Sequence, residues 1–197
     1  MTLQVGQIGL AIDTDKAYAP APIKPFLFIK ELVAAIRSKN FTHMIEWVTG
    51  SRAYHCVIAV TDHSYVGAEP NGVREREEGD KAYPTIIWSD FPLTARNRYA
   101  IVSHANAQIG KPYAYFDDLI IGLALLFKNW PQTDWVWALI EKRLSDARQV
   151  QCAELADQCY RHAGIQIFRD GRLPGAVYPA SYEPVWKSFG WWPAAWS

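Results

Sequence analysis

No charge of one sign predominates in this chain: 20 Lys and Arg offset 20 Asp and Glu, and the formal net charge is zero. That balance argues against a basic nucleic-acid-binding surface and against an acidic tail. Cysteine is scarce. Cys56, Cys152 and Cys159 are the only three, too few for a disulfide framework. No two of them make a CxxC pair, and HExxH and His-x-His are absent, so no metal site is expected. Glycine-rich phosphate loops are missing too, since VGQIG and VTGSR lack the glycine pattern and the Lys. Residues 1–15 carry neither a basic region nor a long apolar run, so no secretory signal is expected and the location expected is cytoplasmic. Association with a phage, or delivery by another route, is the alternative. The most apolar run, Leu119 to Phe127, spans nine residues, far fewer than the roughly 20 of a spanning helix. No transmembrane segment is expected, and a peripheral contact with a bilayer is the most that run implies.

Aromatic residues are plentiful. Nine Trp, ten Tyr and eight Phe suit a large core or a sticky groove, and the length of 197 residues fits one domain. A strand is expected over Val5–Ile12, then an extended Pro-rich loop over 18–25, where a polyproline ligand motif is the lesser alternative. Helices are expected from Pro25 to Ile36 and from about Thr42 to Val48, ending at Gly50. A hairpin follows: a strand His55–Val60, the turn Thr61-Asp62-His63, and a returning strand Ser64–Glu69. The charged run Val73–Asp80 reads as a solvated edge or loop, and Thr85–Trp88 as a short strand. Thr94 is placed to cap a helix running to Gly110, with Ala95, Tyr99, Val102, Ala105 and Ile109 as its apolar stripe. GKPYAYFDD reads as a turn and Leu119–Ser145 as mostly helical. A last helix spans Cys152–Gly164, burying Cys152, Leu155, Ala156, Cys159 and Ala163.

Chemistry is concentrated at the start of that last helix. Cys152 lies at its N-terminus, where unpaired N–H groups and the helix dipole favour a thiolate. The plain alternative is a small buried hydrophobe. Cys159, two turns on, would sit about 10 Å away, too far for a disulfide, and reads as core. His55 is the best placed base, because it opens a rigid strand. His63 falls in a turn, His43 and His104 on helices with no partner motif, and His162 where a cation suits the helix end. A three-residue turn that sets Val60 opposite Ser64 would set His55 opposite Glu69, on one face of the sheet. Glu69 could then orient the imidazole. Cys56 would point to the other face and pack.

These motifs resemble a known family. TGSRAYHCVIAV is similar to the histidine-bearing segment, and QCAELADQCYRHAGI to the nucleophile-bearing helix, of circularly permuted papain-like hydrolases. These are relatives of NlpC-type cell-wall peptidases and of lecithin:retinol acyltransferase. YVGAEPNGV resembles the strand carrying the third polar residue, and ANAQIGKPYAY the segment between. The order His, Glu, Cys is the permuted one, and the resemblance covers roughly residues 44 to 165. It implies an α+β, circularly permuted papain-like fold with a small antiparallel sheet packed against helices. One domain would span 1–197, with a helical insertion at about 114–151.

The resemblance also implies Cys152 as nucleophile, His55 as base and Glu69 as orienter, with Tyr113 lining the substrate site. Tyr54, standing where the family has a small Ser before the histidine, joins Tyr113 there. Ala153 replaces a Ser after the nucleophile. The expected activity is a thiol-dependent hydrolase, a peptidase or amidase acting on a peptide or peptidoglycan-like amide or on an ester, with no cofactor. A lipid or acyl-group acyltransferase is the first alternative, with LIIGLALLF and the tryptophans lining an acyl groove. A non-catalytic binding or structural protein on the same fold is the second.

Overall fold

The structure, a computed structural model, describes residues 3–14, 49, 51–114, 148–172 and 174–193. The Pro-rich loop, the two helices expected before residue 50, His43, the 119–145 helix and Trp196 lie outside the described residues, as does most of the 114–151 insertion.

The described chain is α+β, with a five-stranded antiparallel sheet in the order β4-β3-β2-β1-β5. The strands are β1 (Ile8–Ile12), β2 (Ala53–Ala59), β3 (Ser64–Glu69), β4 (Gly72–Glu77) and β5 (Ile86–Trp88). The helices are α1 (Ala95–Ala107), α2 (Cys152–His162) and α3 (Tyr182–Phe189), with 3-10 turns at Pro174–Ala176 and Pro179–Ser181. None of these helices is long and apolar enough to cross a membrane.

The hairpin expected from the sequence forms. Val60 N–H donates to Ser64 O at 2.9 Å, and the ladder pairs Ala59 with Tyr65, Ile58 with Val66 and Val57 with Gly67. A register slip would expose the β-branched residues of one face, so the apolar pattern fixes it. The VRERE run, read as a solvated edge or loop, is the edge strand β4. From Arg74 onward its partly buried and exposed residues alternate, as on a sheet edge with one wet face.

The two faces of the sheet are built differently. Ile8, Leu10, Cys56, Ile58, Val66 and Ala68 belong to one continuous core with Leu155, Ala156 and Cys159 of α2 and Trp186 of α3. Residues of the opposite parity, Ala11, Val57, Ala59 and Tyr65, are buried but lie outside that core. The second face is narrow at Gly9. A Cβ there would lie 2.6 Å from Ile86, 2.8 Å from Trp88 and 2.9 Å from Val57, so only glycine lets the Trp88 ring lie across β1.

Helix α1 starts at Thr94, whose hydroxyl accepts from Asn97 N–H at 3.2 Å, as expected of an N-cap. Its inward face differs from the expected stripe. Ile101 and Ala105 are buried, whereas Tyr99 is 78% exposed and Ile109 45% exposed. The helix is turned so that Gln108 faces inward in place of Ile109. His104, expected to have no partner, stacks on His162 of α2 with ring centroids 4.6 Å apart. Burial first, and then the His162 charge, holds His104 below the usual imidazole range. Helix α3, ended by Gly190 at φ 70°, has no counterpart among the expected elements, although Tyr182, Val185, Trp186 and Phe189 recur at helical spacing.

Candidate active site

Cys152 is the first residue of α2, and several contacts fix that helix start. Gln151, the extended N-cap residue, donates through Nε2 to Val177 O. Its own N–H reaches Glu154 Oε2 at 3.3 Å, while Glu154 Oε1 accepts from Gln158 Nε2 at 2.8 Å. Tyr182 donates its hydroxyl to Ala153 O at 3.1 Å. The approach to the helix is pinned as well, since Val150 N–H donates to Pro112 O and Ala114 N–H to Val150 O, each at 3.2 Å. Held this way, Cys152 is 1% exposed and its backbone N–H has no intrahelical acceptor.

Two neighbouring residues act on the Cys152 sulfur. The Cys56 side chain is the largest influence holding Cys152 well below the usual thiol range. Burial works against this. The His55 charge, a hydrogen-bonding contact with the His55 ring and the Cys56 backbone N–H all favour the thiolate. Cys56 is driven the other way, well above the usual range, first by its own burial and then by Cys152. Burial also pushes Cys159 up, and it makes no such contact. All three cysteines are free thiols.

His55 is 6% exposed. It pairs with Ala11 at an irregularity in the β1–β2 ladder, where Ile12 pairs with Ala53 and Tyr54 is left over. Its ring lies over β3 at Gly67, where a Cβ would come 3.1 Å from both His55 Nε2 and Val57 Cγ1. Tyr83 stacks on the ring with centroids 4.5 Å apart and planes 6° from parallel. Nε2 has no hydrogen-bond partner.

Continuing the β2–β3 register sets Glu69 opposite His55, as the sequence implies. The carboxylate, however, is held elsewhere. Arg76 grips it with two parallel N–H groups, Nε to Oε1 and Nη2 to Oε2 at 2.7 Å, and Arg74 Nε lies 3.1 Å from Oε2. The expected direct His55–Glu69 hydrogen bond is not made. A longer linkage runs between the two residues. Arg76 Nη1 donates to Asp80 Oδ2 at 2.5 Å, Asp80 Oδ1 accepts from Ala82 N–H at 2.8 Å, and Asp80 O accepts from Tyr83 N–H at 3.1 Å. Glu69 therefore meets His55 through the turn that carries Tyr83. Burial raises the Tyr83 hydroxyl above its usual range, and the negative charges of Glu69 and Cys152 add to the shift.

Tyr113 makes a parallel bridge with Val150, two residues before Cys152, and Tyr54 lies with its ring centroid 6.4 Å from that of Tyr83. Both implied substrate residues thus stand beside elements of the site. Sequence reasoning missed Tyr83, Gly67 and Arg76, and took Cys56 for packing alone. Cys56 does face the core as expected, but it is also the largest influence on the Cys152 thiol. Among the described residues, no three His, Cys, Asp or Glu side chains are grouped to hold a metal ion. No protein-family model matches the chain, and the search of curated proteins finds no match.

Proposed function

We propose that this chain is a thiol-dependent acyl-transfer enzyme on a circularly permuted papain-like fold, hydrolysing an amide or ester bond. The observation that carries the reading is Cys152 at the start of a helix that packs on β2, with His55 of that strand among the groups that favour its thiolate. Cys152 S⁻ attacks the carbonyl carbon, and the developing oxyanion is held by the Cys152 backbone N–H. With Nε2 turned over Gly67 and without a partner, Nδ1 is the ring nitrogen we assign to proton exchange. His55 then protonates the leaving group, and afterwards takes a proton from the water that cleaves the thioester. Glu69 acts as a positioning residue through Arg76, Asp80 and Tyr83. Tyr113 and Tyr54 are assigned to the substrate side, and peptide amides are the first substrate class.

The test is an activated ester such as p-nitrophenyl acetate. Wild-type protein should gain one acetyl group on Cys152, seen by peptide mass spectrometry, and lose it with time in water. Faster loss to an added amine or lipid would make the enzyme an acyltransferase. Acetylation that is unchanged in Cys152→Ala contradicts the reading.

A binding protein on the same fold is favoured by one observation: Cys152 is 1% exposed, which suits a packed thiol better than an open site. Absence of any Cys152 adduct, with the fold intact, would support that second reading.

A further inference from the structure

A base of this kind needs a third group that holds the imidazole in one plane and stabilises the imidazolium that forms. Among the described residues, no acid makes a hydrogen bond to His55. The Glu69 carboxylate is bound by Arg74 and Arg76, and the Asp80 carboxylate by Arg76 and the Ala82 N–H. What lies against the imidazole is a ring face. The Tyr83 ring is parallel to it within 6°, with centroids 4.5 Å apart, the spacing of a stacked pair.

The Tyr83 ring is itself fixed. Its backbone N–H donates to Asp80 O at 3.1 Å, and Asp80 N–H donates to Glu77 O at 3.2 Å, which ties the turn to the end of β4. Pro84 follows and restricts the backbone of residue 83. Tyr65 meets the ring edge-on with centroids 6.2 Å apart, and Tyr65 is fully buried on β3, so one neighbour of Tyr83 is set by the sheet.

We propose that the Tyr83 ring is the direct positioning group of His55, an aromatic face standing where an acid would otherwise orient the base and stabilise its charge. The proposal rests on the reading of His55 as the partner of the Cys152 thiolate. A cation over a ring face is attracted by the negative face of the π-system, most strongly where water is excluded. His55 is 6% exposed, so its imidazolium meets that condition. Parallel contact also resists turning of the imidazole, because any turn gives up part of the stacked area. The ring acts and the hydroxyl does not, so Phe can replace Tyr83 and an aliphatic side chain cannot. Glu69, Arg76 and Asp80 act one step further away, by fixing where the Tyr83 turn stands.

The test measures the iodoacetamide rate at Cys152 against pH in the full chain, for wild type, Tyr83→Phe, Tyr83→Leu and Ile58→Ala. Tyr83→Phe should follow the wild-type curve. Tyr83→Leu should move the midpoint upward by roughly half to one pH unit, because the imidazolium that pairs with the thiolate loses its ring contact. Ile58→Ala weakens the core and should leave the midpoint in place, which separates the effect from lost stability. Proton NMR reads the contact itself: the His55 ring protons should be displaced upfield in wild type and Tyr83→Phe, and not in Tyr83→Leu. If Tyr83→Leu fails to fold, Tyr83→Met makes the same comparison without a ring. Three results overturn the proposal: an unmoved midpoint in the ring-free variant, a Tyr83→Phe curve displaced as far as that of Tyr83→Leu, or no upfield displacement in wild type. Neither measurement needs turnover. A chain that shows the Tyr83 effects yet takes no acetyl group loses the enzyme reading and keeps the ring contact. Acetylation of Cys152 with coincident Tyr83 curves keeps the enzyme and loses the role of Tyr83.

Discussion

The two faces of the sheet solve different problems. The face toward α2 and α3 is a dry apolar core in which Ile8, Leu10, Ile58 and Val66 fix where the helix lies. The opposite face carries stacked rings and ions: His55 under Tyr83, Tyr65 beside Trp88, and Glu69 between Arg74 and Arg76. The first face positions the sulfur and the second positions the imidazole. The proposed chemistry depends on their meeting at one end of β2, where Cys56 and His55 are adjacent in sequence but belong to opposite faces. Damage to one face should therefore appear mainly as lost stability, and damage to the other mainly as lost reactivity.

The largest stability effect is expected from Ile58→Ala. Ile58 is fully buried in the core, so the change should lower stability by about 2–5 kcal/mol, read as a lower urea midpoint. Below the transition, Cys152 alkylation should stay close to the wild-type rate. A large loss of reactivity at native stability would blur the division between faces.

Glu69→Gln probes the other face. The Glu69 side chain is 4% exposed, while the Arg76 and Arg74 side chains are 23% and 37% exposed, so water offsets part of the loss. A cost of about 1–3 kcal/mol is expected, with Cys152 alkylation slowed several-fold as Arg76 loosens the Tyr83 turn. If alkylation is unchanged while stability falls, Glu69 is a structural ion pair and has no hold on His55.

Gly67→Ala is the finest probe. The added methyl would press on His55 Nε2 and Val57 Cγ1, both at 3.1 Å. Overpacking of this kind costs about 1–3 kcal/mol, and the lower end is expected because the imidazole can turn. That turn should slow Cys152 alkylation at neutral pH more than Ile58→Ala does. Equal effects from the two substitutions would contradict the comparison.

The hairpin register was legible in the sequence because β-branched residues and a three-residue turn leave one pairing that buries HCVIAV. The start of α2 was legible for the same kind of reason, since Cys152, Leu155, Ala156 and Cys159 recur at helical spacing. Partners of polar groups were not. Glu69 was read as facing His55 alone, because the alternating VRERE run looked solvated. As a strand, that run turns Arg74 and Arg76 onto the carboxylate. Tyr83 lies in an irregular turn, where periodicity carries no information. The face of α1 was misjudged because Tyr99 counts as apolar in a pattern yet stands in solvent.

The most direct test of the Cys152–His55 meeting is the iodoacetamide rate at Cys152 as a function of pH, compared between wild type and His55→Ala. Access to a sulfur this buried sets the height of each curve, whereas the midpoint reports the ionisation. The account predicts a wild-type midpoint well below the ordinary thiol range, with the rate falling only as acid reprotonates the sulfur, and a midpoint displaced upward in His55→Ala. Coincident curves with an ordinary thiol midpoint in both proteins would contradict it.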